Sequence, residues 1–122
     1  MNKLLRILII EDDAYIASLL IETVNGLGHI VCAVAATEED AVDYAHDRQP
    51  DLIIVDAGLA VGNGVSAMKT IMAVQNTPHL FVTGNARGVR DAFPDAIILQ
   101  KPFFVPELVR AIEMALAASA AV

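Results

Sequence analysis

Short runs of branched apolar residues alternate with longer amphipathic stretches along the whole chain, and this alternation restricts the fold more than any other feature. Such an apolar run is typical of a strand that is covered on both faces. We expect strands at residues 5–10, 30–34, 52–55, 80–83 and 96–99. Helical patterns follow the first and second runs and then occupy residues 65–74 and 105–118. This order predicts an α/β fold, a doubly wound five-stranded parallel sheet with helices on both faces.

Capping residues, glycines and prolines indicate where the helices begin and end. Asp13 stands before the first helical pattern, which ends at Gly28, and we predict that it caps this helix rather than binds a metal. Thr37 is predicted to begin the second helix. The segment between the fourth and fifth strands contains Gly88 and ends near Pro94, so the fourth helix is expected to be short or irregular.

Length, charge and cysteine content exclude several classes of function. A chain of 122 residues fits one domain. The net charge of −7 argues against nucleic acid and anionic membrane as direct ligands. Acidic residues 11–13 interrupt the first apolar run, which is too short for an export signal or membrane span. Cys32 is the only cysteine, which predicts a reducing, cytoplasmic setting. His29, His46 and His79 lack metal-ligand spacing and are expected at the surface or in loops.

Four of the five predicted strands end at, or are followed by, a residue that can take part in chemistry. Glu11 and Asp12 follow the first strand, Asp56 the third, Thr83 ends the fourth, and Lys101 follows the fifth. Ligands of open parallel sheets bind beyond the carboxyl ends of the strands, so these side chains should form one site. Neighbouring carboxylates repel each other unless a cation joins them. Because oxygen ligands suit Mg²⁺, we predict a magnesium site there.

Phosphoryl transfer gives each of these residues a role. A carboxylate can attack phosphorus and form an acyl phosphate, while a metal, a lysine ammonium and a hydroxyl stabilise the phosphoryl oxygens. Asp56 is the predicted nucleophile, because the apolar run before it holds it at the centre and the glycines after it leave space. Thr83 and Lys101 are the predicted phosphoryl contacts. No histidine lies nearby in sequence, so Ser/His or Cys/His hydrolysis has no support.

The sequence resembles the receiver domain of two-component response regulators, and the resemblance covers nearly all of residues 1–122 as one domain. Four motifs in order carry it: the acid pair Glu11 and Asp12 in ILIIEDD, the phosphorylated aspartate Asp56 in DLIIVDAGL, the switch hydroxyl Thr83 in LFVTGN, and Lys101 before a usually cis proline in LQKPF. Gly64 stands where the family has the glycine that opens its third helix.

The resemblance implies a flavodoxin-like (βα)5 fold and a Mg²⁺-dependent switch, in which Asp56 accepts a phosphoryl group from a histidine kinase or a histidine phosphotransfer protein. It implies that Asp12 and Asp56 contact the metal directly, that Glu11 acts largely through water, and that the backbone carbonyl of Gly58 is a further ligand. Such a domain is not an enzyme, since it catalyses only its own phosphorylation and dephosphorylation. The signal is expected to pass by contact to a downstream protein. A weak homodimer through the face of the last helix and strand is a further partner that the resemblance allows.

Two departures from the family pattern affect these expectations. Leu59-Ala60 replaces a common Met-Pro, which predicts a looser loop after Asp56. Ile98 replaces a common aromatic residue that moves together with the switch hydroxyl. The P-x-x-F-x-T-G pattern at residues 78–84 resembles a subclass of stand-alone receivers without that aromatic, in which the loop and helix after Thr83 carry the signal.

Three alternatives differ in the chemistry that they require. A phosphate-independent interaction module with the same fold is compatible with both departures, but the acidic pocket and the lysine argue against it. A small Mg²⁺-dependent phosphatase would need a second acid two residues after Asp56, where Gly58 stands, and a cap for which the chain has no room. A flavin or dinucleotide site would need a glycine-rich turn where residues 11–13 are acidic.

Overall fold

The computed structural model describes residues 3–120, in which strands and helices alternate strictly along the chain. The strands are Arg6–Ile10 (β1), Ile30–Ala35 (β2), Leu52–Asp56 (β3), His79–Thr83 (β4) and Ile98–Gln100 (β5). The helices are Ala14–Gly26 (α1), Glu38–Arg48 (α2), Gly64–Met72 (α3), Ala86–Ala92 (α4) and Val105–Ala120 (α5).

All strand pairs of the sheet are parallel, and the strand order is β2-β1-β3-β4-β5. The order reverses between β1 and β3, because the chain runs outward from β1 to β2 and then returns to the other side of β1. The carboxyl ends of these two strands therefore border the crevice in which ligands of such sheets bind. The predicted α/β fold is confirmed, and so is the short fourth helix, since α4 has only seven residues.

Two apolar clusters cover the two faces of the sheet, because successive side chains of a strand point to opposite faces. Ile7 and Ile9 of β1 belong to the cluster formed with α1 and α5, and Leu8 and Ile10 to the cluster formed with α2, α3 and α4. Every residue of β3 is buried. The central strands are thus held from both sides, which fixes the position of the residues at their ends.

Side-chain caps begin the first two helices where the sequence predicts them. Asp13 accepts hydrogen bonds from the backbone N–H groups of Tyr15 and Ile16 at 2.9 and 3.1 Å. The Thr37 hydroxyl accepts one from Asp40 N–H at 3.1 Å. Such caps satisfy N–H groups that the helix itself leaves without partners. The prediction that Asp13 caps a helix is confirmed.

Two local predictions are wrong. The fifth strand begins at Ile98 rather than at residue 96, because Ala96 N–H donates to the Phe93 carbonyl in a turn instead of joining the sheet. His79 is not a surface or loop residue, since it begins β4 and is half-buried. Its ring packs edge-on against Phe81 and Phe93, with centroid distances of 5.5 and 5.7 Å. Burial lowers the pKa of His79, against the opposing influence of the Thr77 carbonyl.

None of the helices within residues 3–120 combines the length and the apolar character that crossing a bilayer requires.

Candidate functional site

The predicted site residues all lie at one edge of the sheet. Glu11 and Asp12 directly follow β1, Asp56 is the last residue of β3, Thr83 is the last residue of β4, and Lys101 directly follows β5. This edge contains the point at which the strand order reverses. The sheet therefore gathers side chains that lie up to 90 residues apart in the chain.

Three carboxyl groups form the centre of the site. Glu11, Asp12 and Asp56 each offer one oxygen atom, and these oxygens all lie within 4.8 Å of one another. Glu11 and Asp56 are buried, with exposed fractions of 2% and 7%, whereas Asp12 is exposed. A small divalent cation that keeps several of its waters suits such a donor set, because it needs few protein ligands and prefers oxygen. This acidic triad could hold a metal ion.

Backbone N–H groups orient the three carboxyl groups. Gly58 N–H donates to Oδ1 of Asp56 at 3.0 Å, and Ala60 N–H donates to Oδ2 of Asp12 at 2.7 Å. Asp13 N–H donates to Oε2 of Glu11 at 3.2 Å. Two of these donors belong to the loop after β3, so the conformation of that loop and the positions of the acids depend on each other.

Lys101 supplies a positive charge on the other side of Asp56. Its Nζ lies 3.2 Å from Oδ2 of Asp56 and 3.5 Å from Oε1 of Glu11. Burial is the largest single influence on the pKa of Lys101 and lowers it, but the hydrogen bond to Asp56 and the charges of Glu11 and Asp56 together raise the pKa above its ordinary value. Lys101 N–H donates to the Thr83 carbonyl at 2.9 Å, and the Lys101-Pro102 peptide is cis.

Glu11 shows how crowded the negative charges are. Burial, followed by the hydrogen bond and the charge of the neighbouring Asp56, raises the pKa of Glu11 to about 7. The Asp13 N–H group and Lys101 act in the opposite direction but do not outweigh these influences. A divalent cation among the three acids would favour their ionised forms. The chemistry of the donor set therefore fits a metal better than it fits three free carboxylates.

Thr83 and Gly58 border a cavity next to the loop that follows β3. The Thr83 hydroxyl oxygen accepts a hydrogen bond from Asn85 N–H at 2.9 Å. The cavity has a volume of about 710 Å³, lies between α3 and α4, and also includes Lys69 in its lining. Ala57, which directly follows Asp56, and Thr83 both line this cavity, so it lies beside the carboxyl ends of β3 and β4. The assignment of the Gly58 carbonyl as a metal ligand stays a prediction.

The loop after Asp56 has contacts that the sequence did not indicate. Isolated β-bridges join Gly58 to Asn63 and Thr37 to Val61. Glu38 Oε1 accepts a hydrogen bond from Asn63 N–H at the end of this segment. The contacts of Thr37 and Glu38 could not have been found from a local pattern, because they join the start of α2 to a loop that is distant in sequence.

Gly64 is predicted to be intolerant of any side chain. A Cβ atom at this position would overlap with the backbone carbonyl oxygen of Asp56 and would lie 3.0 Å from Cα of Ala57. We expect Gly64→Ala to lower the free energy of unfolding by about 2 kcal/mol, because overpacking displaces the end of a fully buried strand. Urea denaturation followed by circular dichroism measures the change. Gly26→Ala is the matched control, since a Cβ there meets nothing within 4 Å. Equal stability of the two variants would contradict the prediction.

Comparison with known proteins identifies one family. The family model described as response regulator receiver domain matches residues 7–113. The phyllosphere-induced regulator PhyR of Methylorubrum extorquens is 39% identical over 101 residues, which are 80% of this chain and 38% of PhyR. The transcriptional regulatory protein PdtaR of Mycobacterium tuberculosis is 31% identical over 115 residues, which are 90% of this chain and 56% of PdtaR. The chain therefore spans roughly 40 to 60% of the length of these relatives.

Solved structures show the same likeness. The solution structure of the receiver domain of Erythrobacter litoralis PhyR has a TM-score of 0.84 and 28% identity, and the match covers 93% of this chain and 90% of that one. The signal receiver domain of a diguanylate cyclase from Desulfovibrio desulfuricans has a TM-score of 0.83 and 32% identity, and the match covers 95% and 96% of the two chains.

Proposed function

The chain belongs to the response regulator receiver domain family, and we propose that residues 1–122 form one receiver domain that works as a phosphorylation-dependent switch of a two-component system. The observation that carries the proposal is the environment of Asp56. This buried carboxylate lies 3.2 Å from the Lys101 ammonium and within 4.8 Å of oxygens from two further acids. A nucleophile between a cation and a metal-binding cluster is what transfer of a charged phosphoryl group requires.

In the proposed reaction a carboxylate oxygen of Asp56 attacks the phosphorus of a phosphohistidine. The new O–P bond forms as the N–P bond breaks, and the electron pair leaves with the imidazole nitrogen, which takes up a proton. The Asp56 side chain is held for this attack, since its Oδ1 accepts from Gly58 N–H and its Oδ2 faces Lys101 Nζ. The buried backbone of β3 keeps the carboxylate at a constant position.

Glu11, Asp12 and Asp56, with the backbone carbonyl of Gly58, would hold Mg²⁺ in this proposal. The bound ion would neutralise negative charge on the phosphoryl oxygens. Asp12 and Asp56 are proposed as direct ligands and Glu11 as a ligand largely through water. The pKa of about 7 for Glu11 supports a cation at this site, since the buried acid lacks a sufficient counter-charge without one.

Lys101 and Thr83 are proposed to contact the phosphoryl group once it is on Asp56. Lys101 already lies at hydrogen-bonding distance from the oxygen that faces it. The Thr83 hydroxyl accepts from Asn85 N–H and so keeps its own proton for donation to a phosphoryl oxygen. Movement of Thr83 would pull on Asn85, whose side chain caps the short helix α4. We therefore propose that α4 and the adjoining face of β5 and α5 carry the change to a downstream protein.

A histidine kinase partner follows in general from membership of the family. We propose that the phosphoryl donor is a histidine kinase or a histidine phosphotransfer protein. The target of the signal is proposed to be a further, unidentified protein. We also propose that the chain belongs to the subclass with the P-x-x-F-x-T-G pattern, which residues 78–84 match. It is supported by Ile98 at the start of β5, which has no aromatic ring to move with Thr83.

The alternative, a phosphate-independent module with the receiver fold, is favoured by that same Ile98 and by Leu59-Ala60 in the loop after Asp56. The two proposals differ in the use of the acidic site, because a module that ignores phosphate has no need of the buried pairing of Asp56 with Lys101.

The test of the proposed function is intact mass spectrometry after incubation with acetyl phosphate, and separately with phosphoramidate. We expect the mass to increase by one phosphoryl group with Mg²⁺ present and to stay unchanged with EDTA, because the ion is needed to offset the charge of the cluster. Phosphorylation by neither donor, combined with no binding of Mg²⁺ at millimolar concentration, would favour the phosphate-independent module.

A further inference from the structure

The loop between β3 and α3, residues 57–63, contacts the rest of the protein on two sides. On one side it meets the site, where Gly58 N–H donates to Asp56 and Ala60 N–H donates to Asp12. On the other side it meets the start of α2. Thr37 pairs with Val61 in a parallel bridge. The positions of two of the site's acids are therefore coupled to the beginning of a helix that contributes no ligand.

Glu38, the first residue of α2, makes most of the contacts on that second side. Its Oε1 accepts a hydrogen bond from Asn63 N–H at 2.9 Å, and its Oε2 accepts one from the Ser66 hydroxyl at 2.7 Å. Its own N–H donates to the Val61 carbonyl at 3.2 Å. One side chain thus joins the end of the loop to the first turn of α3.

Gly62 brings the loop against Glu38. It has a φ of +84°, and a Cβ there would overlap with Cβ of Glu38 and lie 2.9 Å from its Oε1. A residue other than glycine would therefore have both a strained backbone and a collision. The close approach shows that the position of the loop is adapted to the Glu38 side chain.

We propose that Glu38 is a positioning residue for phosphorylation of Asp56, which acts by fixing the loop that carries Gly58 and Ala60. This inference rests on the proposed function. Glu38 does not touch the reacting atoms. A proline at position 60 would restrict the loop through its fixed φ, but Ala60 does not. The contacts of Glu38 restrict the loop instead. When the loop is released from Glu38, the N–H groups that orient Asp56 and Asp12 lose their fixed positions.

The experiment compares the wild type with Glu38→Ala, Glu38→Gln and Glu39→Ala. Glutamine keeps an oxygen for Asn63 N–H and can donate to the Ser66 hydroxyl oxygen, so it retains both contacts without the charge. Glu39 is the matched control, because it is a neighbouring acid in the same helical turn and its side chain is exposed. Two quantities are measured: the initial rate of phosphorylation by acetyl phosphate, and the Gly58 and Ala60 amide signals of 15N-labelled protein during titration with Mg²⁺.

We expect Glu38→Ala to be phosphorylated about fivefold more slowly, in keeping with the loss of hydrogen bonds to a charged group. Its Gly58 and Ala60 amide signals should shift before any Mg²⁺ is added. Glu38→Gln and Glu39→Ala should match the wild type in both measurements. If Glu38→Gln were as slow as Glu38→Ala, the charge rather than the position of the loop would be responsible, and the inference would be overturned. A wild-type rate and unshifted signals in Glu38→Ala would overturn it as well.

Two additional comparisons apply if a variant does not fold or if the wild type is not phosphorylated. If Glu38→Ala does not fold, Ser66→Ala removes one of the two side-chain contacts and should give part of the same loss. If the wild type takes up no phosphoryl group from either donor and binds no Mg²⁺ at millimolar concentration, the proposed function fails, while the amide signals of the four proteins still decide whether Glu38 holds the loop.

Discussion

Asp56→Asn should take up no phosphoryl group under conditions in which the wild type gains one. The amide oxygen of asparagine is a poor nucleophile, so the acyl phosphate cannot form. Asparagine has nearly the same shape and keeps an oxygen that can accept from Gly58 N–H, the partner of Oδ1 in Asp56 at 3.0 Å. The fold should therefore persist, which circular dichroism verifies. Intact mass after incubation with acetyl phosphate and Mg²⁺ measures the effect, which we expect to be complete.

Asp40→Asn is the control for this variant, since Asp40 is an exposed acid on α2 whose side chain lies outside the site. It should gain a phosphoryl group at the wild-type rate. A full mass increase in Asp56→Asn would place the acceptor elsewhere, and peptide mapping of the modified residue would then show whether the exposed Asp12 accepts the group instead.

Lys101→Ala should slow phosphorylation by about 100-fold, which is the usual cost of removing one group that stabilises a developing charge. The same change should not weaken Mg²⁺ binding, because the Lys101 ammonium lies 3.2 Å from Asp56 and competes with the ion for the negative charge of the site. Slower phosphorylation without weaker Mg²⁺ binding separates a phosphoryl contact from a metal ligand. Initial rates by mass spectrometry and Mg²⁺ titration by NMR measure them.

Lys3→Ala is the control, since Lys3 precedes β1 at the opposite end of the sheet and pairs with Asp51 at 3.7 Å. It should leave both quantities unchanged. Lys101→Arg keeps the charge but not the geometry of the ammonium group and should recover only part of the rate. A wild-type rate in Lys101→Ala would remove Lys101 from the proposed reaction and leave its pairing with Asp56 and Glu11 as a purely structural contact.

The strand-end residues could be predicted because a parallel sheet aligns the carboxyl ends of its strands. Asp56 and Thr83 end their strands as expected, and Asp13 caps α1 as its position before the apolar pattern indicated. The start of β5 could not be predicted to the residue, because the turn at Ala96 uses a backbone hydrogen bond that leaves no trace in the hydrophobic pattern. The half-burial of His79 depends on Phe93, which arrives from the end of α4.

The alternation of apolar runs and amphipathic stretches by itself determined the class of the fold, the order of its elements and the edge of the sheet at which the acids, the hydroxyl and the lysine meet. These properties follow from local periodicity and from the geometry common to parallel sheets. Only the tertiary structure decided which of these groups pair and how closely. Lys101 approaches acids that lie 45 and 90 residues earlier, and Glu38 holds a loop that begins 19 residues later, near Ala57. Such contacts depend on how distant elements pack, which no local pattern records.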